Sequence, residues 1–140
     1  MTVLSAEHIS NMMLGETVHG GKNLNKLSHD TAIDLIKKIR DVLGFRVKRV
    51  YLDTVGDPKK YKGIIEAALG GACSATEVVV ESKADDTYPV VSAASICAKV
   101  TRDNVLKYWK FEERPPEGEE YSHDFGCGYP SDPKTKQWLR

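Results

Sequence analysis

Apolar residues recur along this chain with two different periods, and each period marks its own kind of element. Ser5 is placed to cap a helix in which Ile9, Met12 and Met13 form a short apolar face, and Gly15 to Asn25 reads as loop. Ser28 is expected to cap a second helix, with Ala32, Leu35, Ile36, Ile39 and Leu43 on one stripe and Gly44 ending it. The run Val47 to Asp53 has the short, β-branched and aromatic character of a strand buried on both faces.

After it the helical period returns. Asp57-Pro58 supplies a cap and a proline at the first helical position, Tyr61, Ile65, Ala68 and Leu69 form the apolar side, and Gly70-Gly71 stop the run. A second strand is predicted over Thr76 to Glu81. Pro89 then opens the longest helix, expected to reach about Glu113. At 100° per residue Val90, Ala94, Cys97, Thr101, Val105 and Tyr108 gather on one side, expected to pack. Ser92, Ser95, Lys99, Arg102 and Asp103 gather on the other, expected to face outward. An acidic loop at Glu117 to Glu120, a glycine turn from Gly126 to Pro130 and a last helix starting at Asp132-Pro133 complete the chain.

Strand, helix, strand, helix alternation implies an α/β layer structure with a parallel pair of strands, and 140 residues suit a single domain over 1–140. A strand pair buried on both faces needs neighbours, and no third run of comparable strength is present, which points to further strands outside this sequence or from a partner.

Charge adds a constraint. Lys plus Arg and Asp plus Glu both number 20, so no global basic excess advertises nucleic acid, and any such binding must be local. The three cysteines, Cys73, Cys97 and Cys127, lack Cys-x-x-Cys spacing, which suggests reduced thiols in a cytosolic or nuclear compartment. No apolar run is long enough to cross a bilayer, so no membrane is expected as a partner. Gly15 and Gly20 have phosphate-loop separation, yet Gly21 stands where lysine is required; His8, His19, His29 and His123 lack zinc spacing.

Two carboxylates stand out. Asp53 closes the first strand and Asp85 follows the second, so both should lie at the carboxyl edge of the sheet, where open α/β folds place ligands. Together they could share a hard divalent cation. Each also has a plain alternative, a loop-capping aspartate for Asp53 and a helix N-cap for Asp85. Ser92, Ser95, Lys99 and Arg102 offer hydroxyls and cations suited to phosphate oxygens, although a solvated helix face is the commoner role of such a pattern. Tyr129, between Gly128 and Pro130, could stack on or hydrogen-bond a sugar or base; more often such a tyrosine covers a core edge.

Val50-Tyr51-Leu52-Asp53-Thr54-Val55-Gly56, then Lys83-Ala84-Asp85, then Tyr88 through Asp103 resemble the catalytic subunits of eukaryotic and archaeal type 2 ribonucleases H, the ribonuclease HII family. Asn23-Leu24-Asn25, Leu27 to Ala32 and Gly128 to Lys136 match in the same order, so the resemblance covers essentially the whole chain. It implies a ribonuclease H-like fold, truncated here to two parallel strands with flanking helices, the first strands of the sheet being missing.

The same resemblance implies hydrolysis of RNA in RNA/DNA hybrids and incision on the 5′ side of a single ribonucleotide in duplex DNA, with two Mg²⁺ or Mn²⁺ ions in a nuclear enzyme. By motif match Asp53 and Asp85 are two of four metal carboxylates and Tyr129 is similar to the tyrosine that contacts the 2′-hydroxyl; Lys83, Ser92, Ser95, Lys99 and Arg102 are the other expected substrate contacts. The other two carboxylates belong to an Asp-Glu-Ala-Gly-Arg-Gly segment, and no Asp-Glu pair occurs in this sequence, so the chain alone is expected to be inactive. The family region that docks two accessory subunits lies beyond the helix ending at Arg140, and those partners are not carried over to these residues. The rival expectations are a non-catalytic nucleic-acid- or protein-binding fragment and a strand-paired oligomer.

Overall fold

The structure is a computed structural model that describes residues 1–14, 23–70, 75–112, 115, 117, 120–128 and 131–140. Gly71, Cys73, Tyr129 and Pro130 lie outside the described residues, as does most of the expected first loop.

Contacts divide the chain into two units, Met1–Ser95 and Ile96–Arg140. In the first, helix α1 spans Ala6–Leu14 and helix α2 spans Leu24–Lys37. Ser5 caps α1 as expected, its Oγ accepting from the His8 amide at 3.1 Å. The cap of α2 is Asn23, whose Oδ1 accepts from the Lys26 amide at 2.9 Å. The cap therefore stands five residues ahead of Ser28: Asn is as good an N-cap as Ser, and Leu24 and Asn25 are helical rather than loop. A five-residue π-helical turn, Lys38–Val42, continues α2. Its wider turn holds an extra residue, so the apolar stripe falls out of phase there. Ile33 and Ile36 enter the core while Leu43 is exposed.

Strand β1 is Arg49–Asp53, helix α3 is Pro58–Ala68 and strand β2 is Glu77–Glu81. The strands pair in parallel from Arg49 opposite Glu77 to Asp53 opposite Glu81. The α/β arrangement of two parallel strands with flanking helices is thus present, and among the described residues the sheet has these two strands. Val50, Leu52, Val78 and Val80 point to one face, where they meet Ile33, Ile36, Tyr61, Ile65 and Leu69. Ile65 is 0% exposed. His29 fastens α2 to this layer, stacking on Tyr61 with ring centroids 4.1 Å apart and donating from Nε2 to the Val55 carbonyl at 2.9 Å.

β1 is not buried on both faces, because alternate side chains point opposite ways along a strand. Arg49, Tyr51 and Asp53 lie on the side away from the core; Arg49 pairs there with Glu77, and Tyr51 is only half-buried. Helix α4, Ala84–Thr87, follows β2, and helix α5, Pro89–Lys107, comes next. It stops short of the expected Glu113: the Trp109 amide bonds back only three residues, to the Leu106 carbonyl at 3.2 Å, in a tightened last turn, and residues 109–112 are not helical.

The expected faces of α5 are not realised. Val90 is 61% exposed, and Ala94, Cys97, Val105 and Tyr108 are exposed as well, whereas Ser92 and Ser95 are partly covered; Thr101 is partly covered too, and Lys99, Arg102 and Asp103 are exposed as expected. The physical reason is the lack of a partner: among the described elements none packs extensively along α5, so its apolar stripe has nothing to bury against.

In the second unit helix α6, Pro133–Trp138, is capped by Asp132 as Asp-Pro predicts. Among the described residues no helix is long and apolar enough to cross a membrane.

Candidate metal centre

Asp53 ends β1 with its carboxylate at the strand's carboxyl edge. Its Oδ1 accepts two backbone hydrogen bonds, from Thr54 at 3.0 Å and from Ala84 at 3.2 Å. The second bond crosses from β1 to the start of α4, so Asp53 caps the helix whose next residue is Asp85. The capping alternative considered for Asp53 is therefore real, but the helix it caps is the one carrying the other acidic residue. Asp85 is not itself an N-cap: that position is Lys83, in the left-handed conformation at φ 56°, which turns the chain sharply from β2 into α4.

The donor set suits a hard cation only in part. Among the described residues Asp53 Oδ2 accepts no hydrogen bond and the Asp85 carboxylate has no hydrogen-bond or ion-pair partner, so both keep oxygen lone pairs available. No group of three or more His, Cys, Asp or Glu among those residues converges closely enough to hold a metal. The two candidates are one carboxylate at the end of β1 and one on the helix that follows β2.

Two residues that sequence reading did not single out support this edge. Glu81 pairs in register with Asp53, and Tyr88 donates its hydroxyl to Glu81 Oε2 at 2.8 Å while its ring lies on Tyr51 with centroids 4.6 Å apart. The bond to the Glu81 carboxylate, which favours the neutral phenol, holds the Tyr88 pKa above its ordinary value, with desolvation adding to it. Tyr-Pro ahead of a helix marks a helix start in sequence but carries no sign of a partner on a strand.

The remaining candidates divide between the units. Lys83, Ser92 and Ser95 belong to the first; Lys83 is exposed and both serines are partly covered. Lys99 and Arg102 belong to the second and are exposed. Arg102 is partly engaged, donating from Nη2 to the Gly126 carbonyl at 3.0 Å and from Nη1 to Asp103 at 2.9 Å.

That carbonyl belongs to a turn pinned at consecutive residues. Asp132 Oδ2 accepts from the Cys127 amide at 3.1 Å, and Thr135 Oγ1 accepts from the Gly128 amide at 2.9 Å. The Thr135 hydroxyl lies 2.9 Å from the Phe125 carbonyl and 3.0 Å from Asp132 Oδ2, acceptors that share its one proton. A Cβ at Gly126 would stand 2.1 Å from Asp132 Oδ2, so this position admits only glycine. The amides of Cys127 and then Thr135 hold the Asp132 carboxyl below the usual carboxylate range. Tyr129 follows this turn in sequence and lies outside the described residues.

A parallel strand pair with Asp53 at its carboxyl edge, capping the helix that carries Asp85, defines an α/β protein of the kind that places polar ligands at that edge. Comparison with protein families matches residues 2–140 to the family described as Ribonuclease HII, and the chain belongs to that family. The A subunit of ribonuclease H2 from Homo sapiens is 48% identical over 140 residues, which are 100% of this chain and 43% of that protein. Its counterpart from Arabidopsis thaliana is 49% identical over 117 residues, 84% of this chain and 37% of that protein. The crystal structure of the ribonuclease H2 from Pyrococcus horikoshii OT3 is similar with a TM-score of 0.60 at 34% identity, covering 89% of this chain and 52% of that one. The chain thus spans less than half the length of these curated relatives. Ribonucleases H generally use divalent metal ions.

Proposed function

We propose that residues 1–140 form part of the catalytic domain of a metal-dependent endoribonuclease that hydrolyses RNA in RNA/DNA hybrids and incises 5′ of single ribonucleotides in duplex DNA. The observation that carries this reading is the cap: the Asp53 carboxylate at the end of β1 holds the first amide of the helix that bears Asp85. Membership of the ribonuclease HII family supports it.

In this reading Asp53 and Asp85 hold Mg²⁺ or Mn²⁺, two ions occupying the complete site. Bound divalent ions supply an activated water and neutralise charge on the phosphate oxygens during in-line displacement. Lys83, Ser92, Ser95, Lys99 and Arg102 contact the nucleic-acid backbone, and Tyr129 meets the 2′-hydroxyl that separates RNA from DNA. The naming of the relatives as one subunit of an assembly supports accessory subunits for the longer protein, which in this reading works in the nucleus.

Two carboxylates leave residues 1–140 short of a working site, so no Mg²⁺-dependent cleavage of duplex DNA containing one ribonucleotide is expected above background. Fusing the Asp-Glu-Ala-Gly-Arg-Gly strand of a relative ahead of residue 1 should give incision that Asp85→Asn abolishes. Turnover by residues 1–140 alone that disappears on Asp53→Asn would overturn the incompleteness. Incision by the fusion that survives Asp85→Asn would remove Asp85 from the site.

A further inference from the structure

Helix α4 is four residues long, and a single turn cannot hold itself together in water, since nucleating a helix fixes several dihedrals for one hydrogen bond. Its placement must come from fastenings to the rest of the first unit. At its front are the Asp53 carboxylate on the Ala84 amide and the completely buried Ala84 side chain. At its rear the hydrogen bonds and ring contact among the described residues pass through Tyr88. The Tyr88 amide donates to the Ala84 carbonyl at 2.8 Å and closes the turn. Its carbonyl accepts from the Val91 and Ser92 amides at 2.9 and 3.1 Å and starts α5. Its ring rests on Tyr51 and its hydroxyl reaches Glu81, so it is tied to both strands, on the face where Asp53 also points.

We infer that Tyr88 is a positioning residue for Asp85: by binding the rear of α4 to Tyr51 and Glu81 it fixes where the Asp85 carboxylate stands relative to Asp53. It acts through Asp85, in the way that residues behind a metal ligand set its orientation. The inference rests on the reading of Asp53 and Asp85 as cation ligands. Burial alone does not account for Tyr88, because the side chain is only partly covered and its hydroxyl has a specific partner on β2. Glu81 serves as the acceptor of that hydroxyl.

The test combines Mn²⁺ affinity, followed by electron paramagnetic resonance, with amide hydrogen exchange at positions 84 and 88, using residues 1–140. The Leu69 amide, bonded to the Ile65 carbonyl at 3.0 Å in the core, reports whether the unit as a whole is intact. Tyr88→Leu removes ring and hydroxyl; Mn²⁺ affinity should fall about tenfold and exchange at 84 and 88 should rise while Leu69 stays protected. Tyr88→Phe keeps the ring and should fall between wild type and Tyr88→Leu. Glu81→Gln keeps an acceptor and should bind like wild type, whereas Glu81→Ala should resemble Tyr88→Phe.

Unchanged affinity and exchange in Tyr88→Leu would overturn the inference, and so would a loss of Mn²⁺ in Glu81→Gln as large as in Asp53→Asn, which would make Glu81 a ligand. If Tyr88→Leu unfolds the unit, Tyr88→Phe and Glu81→Ala decide the question. If Asp53→Asn and Asp85→Asn leave Mn²⁺ binding unaltered, the cation reading fails, and the exchange data alone still show whether Tyr88 places α4.

Discussion

Asp53 uses its two oxygens differently. Oδ1 takes the amides of Thr54 and Ala84 and so holds α4, while Oδ2 accepts no hydrogen bond among the described residues. Substitutions can separate the two tasks. Asp53→Asn keeps an oxygen acceptor and loses the charge, so stability to urea should stay close to wild type while Mn²⁺ binding is lost. Asp53→Ala removes the acceptor as well and should cost about 1 kcal/mol, the usual effect of deleting a helix cap. Equal destabilisation by the two variants would mean that the cap is electrostatic rather than a hydrogen-bond acceptor. Position along the chain allowed both a plain and a functional role for this residue; only the contact with Ala84 shows one carboxylate filling the capping role while an oxygen remains available.

At the scale of elements, caps were the most legible features. Ser5, Asp57 and Asp132 each cap the helix that their local pattern predicts, since a cap is decided within three residues. The Asp132 cap also ties α6 to the glycine turn, and its pH dependence follows. A carboxyl whose pKa is lowered by folding contributes stability that is present above its unfolded pKa, about 3.9, and lost as pH falls through the folded value. The nuclear magnetic resonance shifts of the Cys127 and Thr135 amides should therefore titrate together with a midpoint below about 3.9, and should not do so in Asp132→Asn. A midpoint above that value would contradict the arrangement. The faces of α5 were illegible for the opposite reason: periodicity says which residues can share a partner, but not whether any element is there to cover them, and among the described elements none packs extensively along α5.

At the scale of the whole molecule, the first unit depends on one small core joining α2, α3 and the two strands. Ile65 is its most enclosed side chain, so Ile65→Ala should lower the unfolding free energy by about 3 kcal/mol in urea titration, a large fraction of a typical domain's stability. A loss below about 1 kcal/mol would show that the surrounding layer closes over the cavity. The family and the α/β class were legible because long runs of residues match in order and because strand and helix periods alternate. Asp53 and Asp85 were legible as candidates for the proposed cation site, as the acidic residues that follow the two strands.

The sequence by itself determined what depends on neighbours along the chain: both strands, the longer helices and where most of them start, and the acidic residues that close the strands. Tertiary structure alone decided what depends on neighbours across it. It set the π turn that turns Leu43 outward, the one-sided burial of β1, the exposure of the apolar stripe on α5, and the capping of the Asp85 helix by Asp53. It also brought Tyr88 onto Glu81. These last two contacts join residues seven and thirty-one positions apart, a range at which no local period or cap rule operates.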